Sequence, residues 1–225
     1  MKNVKARAFG GLLFLVIFLA AALFVTAWTL DYWQAWVFTA VFSGSALAIT
    51  LYLMKNDPKL LERRVTAGPG AEKEQIQNVI QVLAQIAFLA AIVLPALDHR
   101  FGWSSVPASF VAAGDLLVLL GFLIVFLVFR ENTFASGTIE VAAEQSVIAT
   151  GPYALVRHPM YSGALVMLLG VPLALGSWWG LLAFILMVLV IALRVLGEED
   201  FLSKNLPGYS QYRANVKYRL VPFIW

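Results

Sequence analysis

The chain has 225 residues, 61% of them hydrophobic and 13% charged, with a mean hydropathy of +0.82. A soluble domain is about 25% charged and roughly 45–50% apolar, so this composition excludes a water-soluble globule, which could not cover such a core with polar surface. The absence of cysteine excludes disulfides, thiolate metal sites and a Cys nucleophile. The net charge of +3 is placed by membrane topology and anionic lipid, not by nucleic acid.

A hydrocarbon core takes about 20 apolar residues to cross as helix. Residues 8–30 and 33–54 form two uncharged runs of that kind, and residues 79–97 and 111–129 form two more, the last with Asp115 near its start. The first run is longer than the 7–15 apolar residues of a cleaved signal, so it is read as a retained span. Residues 160–193 then carry no charge for 34 residues, too many for one span. Pro172, Gly176 and Gly180 interrupt this run, and Gly176-Ser177-Trp178 reads as a tight turn. The expected fold is all-α: a polytopic membrane bundle of four spans plus a C-terminal helical hairpin over residues 160–196. It forms one structural domain with a membrane region (1–130) and a second region (131–225) holding the loop, the hairpin and the C-terminal segment.

Orientation follows from the basic residues, which cytoplasmic loops retain. With the N-terminus inside, fifteen Lys and Arg fall on the inner face and only Arg100 outside. Both termini are therefore expected in the cytoplasm. Trp28, Trp33, Trp36, Trp103, Trp178 and Trp179 fall near the outer interface, where amphipathic rings settle, and Trp225 lies on the other side.

Three polar segments share the inner face. Residues 55–78 carry Asp57-Pro58, Glu62-Arg63-Arg64 and the turn Gly68-Pro69-Gly70, and read as a solvated loop with a short interfacial helix near residues 59–65. Residues 130–159 are too long for a plain connection, and their apolar anchors (Val141, Val147, Ile148, Tyr153) argue against disorder. The third segment, residues 197–225, is amphipathic. Arg157 and His158 precede Pro159, which suits a first helical turn, and such helix starts favour anions. Tyr161 and Gly163 follow, the glycine leaving room for a close helix or ligand. Arg194 and Glu198, spaced i,i+4, share one helix face beside Glu199. Taken singly, each fits an ordinary role: a topology marker, a hydrogen-bonded histidine, an interfacial ion pair. Together they set a guanidinium, an imidazole, a phenol and two carboxylates at one mouth.

The run Gly151-Pro152-Tyr153-Ala154-Leu155-Val156-Arg157-His158-Pro159-Met160-Tyr161-Ser162-Gly163 resembles the signature of the isoprenylcysteine carboxyl methyltransferase family, whose superfamily includes phospholipid N-methyltransferases. Glu198-Glu199-Asp200-Phe201-Leu202 is similar to that family's paired-glutamate motif, Pro207-Gly208-Tyr209-Ser210-Gln211-Tyr212 to its tail, and Val221-Pro222 to its terminal proline. The resemblance covers residues 130–225. It implies an integral-membrane enzyme that transfers a methyl group from S-adenosyl-L-methionine, at the cytoplasmic face, to a lipid-like acceptor entering from the bilayer. Carried over by motif, the cofactor set is Gln145, Gly151, Tyr153, Arg157, His158, Pro159, Tyr161, Gly163, Glu198 and Glu199; Arg194 and Glu198, one turn apart, are expected as the catalytic, acceptor-side pair. No metal and no nucleic acid are implied, and oligomeric state is left open, with Gly10, Gly11 and Gly44 as small-residue positions. The acceptor is equally open: carboxyl O-methylation, phospholipid or amine N-methylation and thiol S-methylation share one cofactor site. Outside methyl transfer stand an NADPH-dependent sterol-type reductase, expected to be longer, and a non-enzymatic membrane protein that has kept the fold.

Overall fold

A computed structural model describes residues 2–66, 75–139, 141 and 145–225; the turn Gly68-Pro69-Gly70 and Lys73 lie outside them. Among the described residues all regular structure is helical. The elements are α1 (Lys2–Ala20) with a π-helical turn (Ala21–Val25), α2 (Trp33–Asn56), α3 (Pro58–Thr66), α4 (Gln75–Phe101) and α5 (Ala108–Glu131). A 3₁₀ turn (Gly151–Ala154) precedes α6 (Pro159–Ala174), α7 (Leu181–Asn205) and α8 (Tyr209–Asn215). Five helices are long and apolar enough to cross a membrane: the first one, α2, α4, α5 and α7. α6, at 16 residues, is about 24 Å long at 1.5 Å per residue, short of the ~30 Å hydrocarbon core.

The observed boundaries depart from hydropathy for physical reasons. The first helix stops before the apolar run does, because Trp28 takes a φ of 58° and turns the chain toward α2. α4 starts at Gln75, four residues ahead of the apolar run, because Gln77 is buried against a partner on α7. α7 continues to Asn205, so Arg194, Glu198 and Glu199 sit on one continuous helix. α3 is the short amphipathic helix expected beside α2, and Asp57 caps it by accepting the Leu60 amide at 3.0 Å, with Pro58 at the first position.

The hairpin turn falls at Gly176, whose φ of +71° an L side chain would adopt only with strain. Around it lies an aromatic end. Buried Asp98 accepts the Ser104 amide (2.7 Å), the Ser104 hydroxyl (2.6 Å) and the Ser177 hydroxyl (2.5 Å), joining α4, its following loop and the hairpin turn. Tyr32 donates to the Leu175 carbonyl at 2.6 Å and stacks on His99. Phe110 packs edge-on against Trp178, and Arg100 sits over Trp28.

α5 and α6 form the most extensively packed helix pair. Glycines recur on both: a Cβ at Gly114 would fall 2.2 Å from the Ala174 nitrogen, and one at Gly121 would fall 2.6 Å from the Gly163 carbonyl oxygen. Backbone therefore meets backbone along this seam. α4 packs mainly on α7, with smaller contacts to the π-helical segment of the first helix and to α6. A Cβ added at Gly10, Gly11 or Gly44 would meet nothing beyond its own helix within 4 Å among the described residues.

Candidate active site

At the end away from the hairpin turn, the chain after α8 returns to the start of α6. The Arg157 amide donates to the Tyr218 carbonyl and the His158 amide to the Arg219 carbonyl, both at 2.9 Å. The Ser162 hydroxyl donates to Leu220 O at 2.6 Å. Arg157 reinforces this strap: its Nη1 donates to the carbonyls of Val216 and Lys217 at 2.7 and 2.8 Å, while its Nε meets Glu199 Oε1 at 2.6 Å. The other Glu199 oxygen accepts from Arg219 Nε at 2.9 Å. Glu199 is only 3% exposed, so its charge is sustained by these two cations and not by water.

Beside the strap lies a cavity with about 780 Å³ of empty space, open solvent included. Gln145, Tyr153, Arg157, His158, Pro159, Tyr161 and Glu198 line it, together with Asn132, Ser146, Met160, Tyr209 and Tyr212. The Asn132 amide donates to the Tyr153 hydroxyl at 2.8 Å, and the Tyr212 hydroxyl donates to Tyr153 O at 2.7 Å. Burial pushes the Tyr153 hydroxyl up to about 12 despite the opposing Asn132 bond, and burial also raises Tyr209 and Tyr212. The three phenols therefore stay protonated near pH 7, with the Tyr212 proton given to Tyr153 O. Tyr209 is 3% exposed, and its hydroxyl has no hydrogen-bond partner among the described residues. His158 lies between the two glutamates, Nε2 at 3.4 Å from Glu199 and Nδ1 at 3.9 Å from Glu198.

A second space, far more apolar, opens among α1, α2, α4, α5, α6 and α7, with about 2030 Å³ of empty volume. Leu12, Leu15, Phe42, Phe122, Met167 and Ile191 form much of its wall, and Arg7, Arg64, Arg194 and Glu198 stand at its polar end. Met160, Tyr161 and Glu198 line both spaces. The Tyr161 hydroxyl donates to Glu198 Oε2 at 2.8 Å, and Arg194 also hydrogen-bonds the Tyr161 side chain. Arg194, 8% exposed, donates to Gln77 Oε1 at 2.8 Å. Arg64 is packed over Phe129, donates to Ser136 O at 3.3 Å, and has its pKa lowered by burial.

The residues singled out from sequence thus divide. Gln145, Tyr153, His158, Pro159, Tyr161 and Glu198 face the cavity; Arg194 faces the groove. Arg157 lines the cavity, yet its Nε and Nη1 are held by Glu199 and the strap. Glu199 belongs to neither lining, because Arg157 and Arg219 take its oxygens. Gly151 and Gly163 approach protein instead of cavity: a Cβ would fall 3.0 Å from Glu131 in the first case and 3.0 Å from Gly121 O and Ile124 in the second. Sequence reasoning gave no site role to Tyr209, Tyr212, Asn132, Arg64 or Gln77. For the two tyrosines the tail motif was the available signal; for the other three there was none, since each meets the site across a long stretch of chain.

Residues 109–208 match the family model described as phospholipid methyltransferase. The match spans 100 of 225 residues, from the start of α5 to the turn before α8. No curated protein matches the chain. With five apolar helices of spanning length, the match indicates an integral-membrane methyltransferase.

Proposed function

We propose that the protein is an S-adenosyl-L-methionine-dependent methyltransferase that modifies a membrane-partitioned amphiphile, in the manner of carboxyl O-methylation. The observation that carries this reading is the shared wall: Met160, Tyr161 and Glu198 face a polar cavity on one side and an apolar groove on the other. A water-soluble donor and a lipid-soluble acceptor would meet there and nowhere else among the described residues.

The cavity suits the cofactor. Its neutral phenols and the amides of Gln145 and Asn132 offer hydrogen bonds, and the unpartnered Tyr209 hydroxyl is a donor awaiting an acceptor. Glu198 keeps Oε2 on Tyr161, and its Oε1, 3.9 Å from His158 Nδ1, would face a cationic ammonium. When bound, the cofactor supplies a methyl group already activated by its sulfonium. The protein's task is then placement and exclusion of water. Arg194 holds the acceptor's head, Tyr161 fixes Glu198, and the apolar walls keep the meeting point dry. Arg7, Arg64 and Arg194 stand with Glu198 at the groove's polar end among the described residues, and these arginines suit an acidic head. The family match favours the second reading, N-methylation of a phospholipid amine. The same site would serve it, with Glu198 as the base.

We place the cavity on the cytoplasmic side, on the strength of the basic residues gathered at that end. The chain lacks cysteine, so a single Cys introduced at Ser203 should react with an impermeant maleimide only after the membrane is opened. For the activity, the chain purified in detergent should bind S-adenosylhomocysteine in calorimetry and transfer labelled methyl into a total lipid extract. Glu198→Gln and His158→Ala should weaken that binding. Binding of NADPH alone would move the reading to a reductase, and binding of neither ligand would remove the enzyme reading altogether.

A further inference from the structure

We propose that α4 completes the acceptor side of the site through two glutamines one turn apart: Gln77 as the residue that positions Arg194, and Gln81 as a contact for a hydrogen-bond donor on the acceptor. The proposal rests on the methyltransferase reading above and specifies its substrate further.

Gln77 is 3% exposed, buried beside an apolar span where an unpaired amide is costly. Its Oε1 accepts from Arg194 Nη1 at 2.8 Å, across 117 residues of sequence. The other end of the same amide lies against α7 itself: a Cβ at position 197 would fall 2.1 Å from Gln77 Nε2. Gly197 is one turn beyond Arg194, so the amide rests close on the α7 backbone there, and a side chain at 197 would displace it. A long, flexible arginine is thereby held in one direction, at the polar end of the groove. Such fixing of a substrate-orienting cation by a second residue is what precise placement of a reacting group requires.

Gln81 follows Gln77 by four residues and shares its helix face. It lines the groove together with Arg194, and its Oε1 is buried with no hydrogen-bond partner among the described residues. An amide oxygen left open among apolar side chains calls for a donor that no described residue provides. The acceptor is therefore an amphiphile with an O–H or N–H group close to the atom that takes the methyl, not a plain fatty acid. Arg194 would read the anionic end and Gln81 the neighbouring donor.

The test uses the full chain in detergent, with labelled S-adenosylmethionine and mixed micelles of total polar lipid as the probe. Gln81→Leu should raise the apparent KM for the lipid about tenfold, the scale of one lost hydrogen bond, leaving kcat and S-adenosylhomocysteine affinity intact. Gln77→Ala and Gly197→Ala should each lower kcat about tenfold at unchanged cofactor affinity, and Gln77→Glu should restore it, because a carboxylate still receives Arg194. A residue that merely fills space would not show this split or this rescue. Unchanged lipid KM in Gln81→Leu overturns the acceptor contact; unchanged kcat in both Gln77→Ala and Gly197→Ala overturns the positioning role. Should Gln77→Ala fail to fold, Gly197→Ala decides alone, since it displaces the amide without deleting it. A wild-type chain that binds no S-adenosylhomocysteine overturns the methyltransferase reading instead.

Discussion

The two ends of the bundle are each tied by one buried carboxylate, and they are tied differently. Asp98, 1% exposed, closes the aromatic end with an amide and two serine hydroxyls, all neutral donors. Glu199, equally buried, closes the polar end with two arginines. Neutral donors satisfy an acceptor locally and leave the surroundings uncharged, as suits a turn with no chemistry to do. Arginines carry long side chains with several donors, so a single Glu199 can link α7, the start of α6 and the chain beyond α8 into one wall of the cavity. The price of that reach is dependence on charge balance.

The contrast can be broken from its strongest side first. Glu199→Ala leaves Arg157 buried without its anion, a change that costs about 3–5 kcal/mol; thermal unfolding in detergent should show a large drop in Tm and loss of S-adenosylhomocysteine binding together. Glu198→Gln, next to it in sequence, should reduce methyl transfer by roughly 100-fold, the scale of a lost acid–base or positioning group, with Tm nearly unchanged. Asp98→Asn keeps the shape but gives up acceptor capacity, and should cost about 2 kcal/mol while transfer by the folded fraction persists. Arg219→Lys, partly exposed, should cost less than about 1 kcal/mol, since Arg157 still holds Glu199. The smallest effect is one of pH. Tyr153 holds its proton more tightly in the folded chain, with a pKa of about 12 against about 10 for a free phenol. Its contribution to stability is complete below pH ~10 and declines as pH rises toward ~12. Denaturation between pH 9 and 12 should be less steep for Tyr153→Phe than for the wild type.

Much of the bundle was legible because spans follow from composition and the hairpin from Gly176 and the charge count. The gathering of Arg157, His158, Tyr161 and Glu198 was legible through motif. What sequence did not yield was which oxygen meets which nitrogen. Glu198 and Glu199 are neighbours, yet a 100° step around α7 sends one to the cavity wall and the other to the strap. Gln77 stood in a polar stretch that hydropathy assigned to a loop, because its burial depends on Arg194 and Gly197, far away in the chain. Gly151 and Gly163 are small for the sake of Glu131 and α5, a demand that a one-dimensional reading cannot distinguish from a ligand's.

The glycine seam between α5 and α6 has a mechanical consequence. Where main chain already touches main chain, two helices cannot be pressed closer, and sliding either one drives Cβ-free positions into bulk. α5 and α6 thus behave as a fixed post against which the donor pocket is registered. Breathing that admits a wide amphiphile is then expected where α4 meets the first helix, a much thinner contact than the α5–α6 seam. Clamping those two helices together with an engineered cross-link should stall exchange of the acceptor while the post, and the cofactor pocket it carries, stays in register.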